Sequence, residues 1–420
     1  MSSRGVERVR VRLLSIAVAV VATQVMSLAP VQAVPFEWRA SGLAATELND
    51  VASGAAGRSY VTGTYRRGDD EWLLLTAAVD RDGRTVWRRT WRPRPGTAGC
   101  DFNPAPGGEA ITVAGGRVFV AGILGGSCET MAWFVRAYTT TGSFLWQAVQ
   151  PGWRTGSTCN VIHSVAADAT QLIVAAQAGG CGADASREGS LQAYTLTGAP
   201  RWHRDVEVPA VSATNYDIVS DVAIADDGAV YVTGGVERLG QVGIGDAFDY
   251  EFFLQKLTGA GSVVWTKVRW HLDRDWDMGT SVDTQGKWIA VGSTWYLPGH
   301  PENAQVTFFT RTGARRFIYG FRVPPGGYSI GADLVFASSA ERLYVLTGGR
   351  TWLRLSALDA QYRSGGLSGW PVTWDRQLAW LAGWGVYPEG VAADDGGAFD
   401  VASILDPDDM LRGRLWRFRA

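Results

Sequence analysis

Ser59-Tyr60-Val61-Thr62-Gly63, a short apolar run closed by glycine, decides the fold because the chain spells its pattern seven times. Each copy continues into a second apolar run, then a turn ending in glycine, then an aromatic residue four positions on. One equivalent residue per copy gives Val61, Val120, Val174, Val232, Ala290, Val345 and Val401, at intervals of 54 to 59 residues. A period that constant, with strand-like content, means stacked copies of one supersecondary unit. A unit of about 57 residues cannot bury both faces of its own sheet, so all seven share one stack.

Each copy reads as four strands. Val, Tyr, Phe and Thr fill the runs, and Gly or Asp fill the turns between them, which is strand and turn chemistry. No stretch after the N-terminus carries a helical period. These features predict an all-β chain, a seven-bladed β-propeller of four-stranded antiparallel blades.

The turn between third and fourth strands carries the sharpest motif, Gly-x-x-x-aromatic: Gly83/Trp87, Gly142/Trp146, Gly198/Trp202, Gly261/Trp265, Gly313/Phe317 and Gly366/Trp370. The aromatic suits the wedge between neighbouring blades. The seventh copy lacks the motif and stops at a third strand, Leu415 to Ala420, while Phe36-Glu37-Trp38-Arg39 reads as a fourth. The N-terminal strand is therefore expected to close the last blade, with Trp38 in the role of Trp87.

Two family resemblances follow. Thr139-Thr140-Thr141-Gly142-Ser143-Phe144-Leu145-Trp146 resembles the PQQ-like propeller repeat, and the run from Asp221 to Trp265 is similar to the secreted bacterial repeats called SBBP. Both imply the propeller fold, and neither implies a reaction. The quinone is not expected, since the quinone dehydrogenases have eight blades and a vicinal cysteine pair that this chain lacks.

Arg4, Arg8, Arg10 and Arg12 precede an apolar run from Leu13 to Ala22 and a small-x-small site at Val31-Gln32-Ala33. Residues 1–33 read as a signal peptide and 34–420 as the propeller, giving a secreted, extracellular protein free of the membrane after cleavage. In that compartment Cys100, Cys128, Cys159 and Cys181 are expected as disulfides. The first two flank the inner strands of repeat two as the last two flank those of repeat three, which pairs Cys100 with Cys128 and Cys159 with Cys181. A net charge of −2 offers no field for nucleic acid.

Alternating strand direction sorts the connections onto two rims. One carries short turns; the other carries long, dissimilar loops, where a site is expected. The richest of these is Trp270-His271-Leu272-Asp273-Arg274-Asp275-Trp276-Asp277, with Trp295, Tyr296 and His300 entering from the next long loop. Aromatic faces beside carboxylates suit a sugar or a peptide aromatic. Asp273, Asp275 and Asp277 alternate as in a calcium loop, but Gly279 comes one residue late and no Glu closes the loop.

Inner strands add the series Asp50, Thr112, Ser164, Asp221, Ser281, Asp333 and Gly390, read as hydrogen bonds that support the blade crossings. His163 and Glu389 stand at the neighbouring position and approach the central channel. No nucleophile elbow, HExxH, phosphate loop or dinucleotide fingerprint occurs. The sequence therefore predicts a monomeric, non-catalytic binding module for an extracellular glycan or protein, working through its long-loop rim without a cofactor. The alternative is an extracellular hydrolase or lyase with acids and His271 in a pocket on that rim.

Overall fold

The computed structural model describes residues 36–39, 43, 46–68, 71–92, 107–124, 132–150, 160–179, 187–208, 217–237, 250–269, 276–296, 303–321, 332–337, 342–349, 352–363, 366–369, 372–380, 386–393, 398–405 and 412–419. All of them belong to the compact unit Ala33–Ala420. They are strands and tight turns; one three-residue 3-10 turn, Ala55–Gly57, is the helical exception.

The strands form antiparallel units of four in sequence order. Unit one is Thr46–Gly54, Arg58–Arg67, Glu71–Val79 and Thr85–Trp91. Units two to six repeat that order from inner strands Gly107–Ala114, Val161–Ala167, Asp217–Ile224, Trp276–Gln285 and Ala332–Phe336. Units three and four merge into one eight-stranded sheet through a single parallel bridge, Glu188 to Asp217. In unit seven, Val386–Ala393, Ala398–Leu405 and Arg412–Arg419 are completed by Phe36–Arg39, which pairs antiparallel with Arg412–Arg419. Trp38 lies opposite Arg417, the register that Trp87 holds opposite Ala78 in unit one.

Three equivalences read from the sequence shift in register. Val291, not Ala290, faces the inner strand at Val282 as Val61 faces Val51. Ala110, not Thr112, is the counterpart of Asp50. In unit six a small hairpin, Gln361–Arg363 with Gly366–Gly369, extends the third-to-fourth connection. Trp374, opposite Ala357, therefore takes the place assigned to Trp370.

The core lies between sheets. Val61 and Leu75 of unit one cluster with Ala392 and Leu415 of unit seven. Phe119 and Ala137 of unit two cluster with Val174 and Tyr194 of unit three. Alternate residues of a strand face opposite sides of its sheet, so each sheet buries both faces only by having a neighbour on each side. The inner strands of consecutive units touch, and the inner strand of unit seven touches that of unit one.

Motif aromatics fasten this stack from outside. The Trp87 indole N–H donates to Thr140 O at 3.0 Å, Trp146 to Leu196 O at 3.0 Å, Trp202 to Gly259 O at 3.0 Å and Trp265 to Arg311 O at 3.3 Å. Every acceptor lies in the third-to-fourth turn of the following unit. The motif glycine of that turn meets the same ring: a Cβ at Gly142 would sit 2.7 Å from Trp87 and one at Gly198 2.8 Å from Trp146. Both glycines also hold positive φ, 88° and 92°. Gly and Trp of one motif thus serve two different interfaces.

Candidate functional site

The inner strands gather the chemistry. In units one to five and seven the inner strand pairs with its second strand through a bulge that inserts one extra residue: Asn49, Glu109, His163, Ser220, Thr280 and Glu389. The chain comes into each inner strand from the long-loop rim, so these residues form an upper tier. The next residue in each strand belongs to a lower tier: Asp50, Ala110, Ser164, Asp221, Ser281, Asp333 and Gly390.

In the upper tier, units one and two put Glu47, Asn49 and Glu109 together. Asn49 Nδ2 donates to Gly108 O at 3.0 Å and approaches Glu109 Oε2 at 3.5 Å. Burial, reinforced by the charge of Glu47, pushes the Glu109 carboxyl up to about 7, against the Asn49 hydrogen bond. Burial also raises Glu47. Desolvation and the second carboxyl's charge both disfavour ionising Glu109, so it keeps its proton up to near neutrality. His163 follows in unit three. Burial lowers its pKa, with a Gln177 hydrogen bond opposing, and its Nε2 is shielded from solvent with no hydrogen-bond partner among the described residues.

Three carboxylates of the lower tier cap backbone N–H groups of the next unit. Asp50 accepts from Ile111 N at 2.7 Å, Asp221 from Val282 N at 2.6 Å and Asp333 from Val391 N at 2.7 Å. Each also accepts from the residue after it in its own strand. This agrees with the reading of the series as support for the crossings. These aspartates keep partial exposure although protein packs deeply around them; the exposed part is what solvent reaches between the inner strands. Desolvation raises all three, Asp221 to about 7.

Of the residues singled out on the long-loop rim, Trp276 and Asp277 open the inner strand of unit five and pair in register with Tyr296 and Trp295. The two stretches do meet on one sheet. Asp277 is a buried strand residue, 0% exposed, with Arg269 Nη1 3.6 Å from its Oδ2. Trp270, His271, Asp273, Asp275, His300 and the four cysteines lie outside the described residues. Glu71, which opens the third strand of unit one, is ion-paired with Arg67 and with Arg92 at 3.3 Å. Glu47, Asn49 and Glu109 were missed. The signal for Asn49 and Glu109 was their bulge position, already visible at His163 and Glu389. Among the described residues no group of three or more His, Cys, Asp or Glu is placed to hold a metal ion.

No family model and no curated protein matches the chain. Solved structures similar to it include an ACO/RPE65 chimera (10% identity, TM-score 0.44, 83% of this chain and 74% of that one). A Synechocystis apocarotenoid oxygenase variant matches at 12% identity and TM-score 0.43, over 81% of this chain and 73% of that one. A prolyl endopeptidase matches at 12% identity and TM-score 0.44; 88% of this chain spans only 48% of its length. The expectation of a non-catalytic, cofactor-free binding module is corrected here. These neighbours are by name apocarotenoid oxygenases and a prolyl endopeptidase. At such identities their substrates stay with them.

Proposed function

We propose that this chain is an acid–base enzyme whose reacting groups lie where the inner strands open toward the long-loop rim of a closed, seven-bladed propeller. The ring reading draws on the contact between the inner strands of units seven and one, the apolar cluster shared by those units and the pairing of Phe36–Arg39 with Arg412–Arg419. A leader over residues 1–33 and export belong to the same proposal.

One observation carries the activity: two carboxyls, Glu47 and Glu109, in settings that separate their proton affinities. Glu109, protonated up to about 7, is the general acid. Glu47, less buried and less shifted, is the base. Such a pair is what hydrolysis or β-elimination at a polar substrate requires. Asn49 is the positioning residue, holding the Glu109 carboxyl by its amide.

Two measurements test the reading. Carboxyl-detected NMR titration of Glu109 in the folded protein is expected to give a midpoint near 7; a midpoint in the ordinary glutamate range removes the acid. A panel of nitrophenyl glycosides and uronate polysaccharides is then screened with wild type, Glu109→Gln and Glu47→Gln. Turnover that either variant retains in full overturns the assignment.

A further inference from the structure

The lower tier has a proton deficit, and it lies away from the Glu47/Glu109 pair. Ser281 Oγ is 2.8 Å from Asp333 Oδ1 and 3.1 Å from Asp221 Oδ2. It also accepts from Leu334 N at 3.3 Å. A serine hydroxyl has one hydrogen to donate. It satisfies one of the two carboxylates, and its remaining lone pair then faces the other across a distance too short for an intervening water. Two acceptors at that separation repel unless a proton lies between them.

The other contacts of these groups supply none to spare. Asp221 Oδ1 takes the Ser164 hydroxyl and Val222 N, and Asp221 Oδ2 takes Val282 N. Asp333 Oδ1 takes Leu334 N and Asp333 Oδ2 takes Val391 N. These donors are already spent on their own oxygens. Asp50 faces the pair electrostatically from unit one. Asp283, on the same strand as Ser281, accepts from Phe336 N at 2.7 Å, with Asp226 adding its charge beyond. Glu389 holds the bulge of unit seven. Among the described residues none of Asp50, Asp221 and Asp333 is ion-paired with a lysine or arginine.

We infer that Asp221, Ser281 and Asp333 hold one shared proton in the native protein at neutral pH, as a chain in which one carboxyl donates to the serine and the serine donates to the other carboxylate. Through Ser164 on one side and Val391 on the other, this chain ties units three, four, five, six and seven. The proton is the pin of that tie: losing it leaves two carboxylates aimed at one hydroxyl. The pair therefore titrates as a unit.

Labelling aspartate at Cγ with carbon-13 leaves Glu109 silent and reads the pair directly by NMR in the full chain. The Asp221 and Asp333 signals are assigned by Asp221→Asn and Asp333→Asn, or by through-bond experiments on wild type if a variant fails to fold. The expected result is two signals that titrate together near neutral pH in wild type and separate in Ser281→Ala. Carboxylate shifts for both residues at about pH 6, well above the ordinary aspartate value, would overturn the proposal. So would independent curves in wild type, or curves that Ser281→Ala leaves unchanged.

Discussion

The outer and inner edges of the units obey opposite rules. Outside, the same device recurs: Trp87, Trp146, Trp202 and Trp265 each donate an indole N–H to the next unit's turn and cover its glycine. Inside, the bulge position changes from Asn49 to Glu109 to His163 to Ser220 to Thr280. One backbone geometry is kept and its side chain is varied. A position that repeats unchanged answers a demand every interface shares, which is closing a wedge. A position that varies on a constant backbone is available for chemistry that only one or two units need.

Breaking the outer rule is expected to cost stability and spare chemistry. Deleting residues 34–41 removes the strand opposite Arg412–Arg419 and bares that edge. Thermal unfolding should fall the furthest of any change here, by at least the ~3–5 kcal/mol of emptying a large aromatic site. Unchanged unfolding would sink the ring reading. Trp87→Ala comes next. Trp87 is 8% exposed and its loss opens a cavity between units one and two, so chemical denaturation should show a loss of about 3 kcal/mol. Gly142→Ala strikes the same contact from the other side: a Cβ at positive φ against the Trp87 ring should cost about 2 kcal/mol. Gly68→Ala has the strain of positive φ with nothing within 4 Å, and should cost about 1 kcal/mol by the same measurement.

The inner rule is sharpened by pH. Glu47, Asp50, Asp221, Asp283, Asp333 and Glu109 all bind a proton more tightly folded than unfolded. The stability they supply is complete below the ordinary carboxylate range and is lost as pH rises through their raised values, about 7 for Asp221, Asp283 and Glu109. His163 and His203 are lowered and act oppositely, costing stability as pH falls through their range. Six carboxyls outweigh two histidines, so Tm should decline as pH rises from about 5 to about 8. A rising Tm would mean that these carboxylates are already ionised in the native state. The smallest effect belongs to the outer surface: Leu145→Thr, 41% exposed beside the motif Trp146, should stay within about 0.5 kcal/mol in denaturant unfolding.

Legibility in the sequence followed the same division. The seven copies, their strands, the wedge aromatics and the aspartate supports were readable because each repeats and each has a local cause. The register errors at Ala290, Thr112 and Trp370 arose where a bulge or an inserted hairpin changes the count without changing the composition. Asp277 looked like part of a loop because carboxylates flank it in sequence; strand pairing and Arg269 bury it instead.

The sequence by itself determined a repeated four-stranded unit, its turns and its aromatic fastening, since period, β propensity and glycine placement act over a few residues. Tertiary structure alone decided that Glu47 and Asn49 meet Glu109 across some 60 positions of chain, and that one serine serves two aspartates 112 residues apart. Those encounters depend on which units become neighbours and on how deeply packing excludes water between them. Pair energies of charged groups are set by that distance and that desolvation, and neither is written in any single segment.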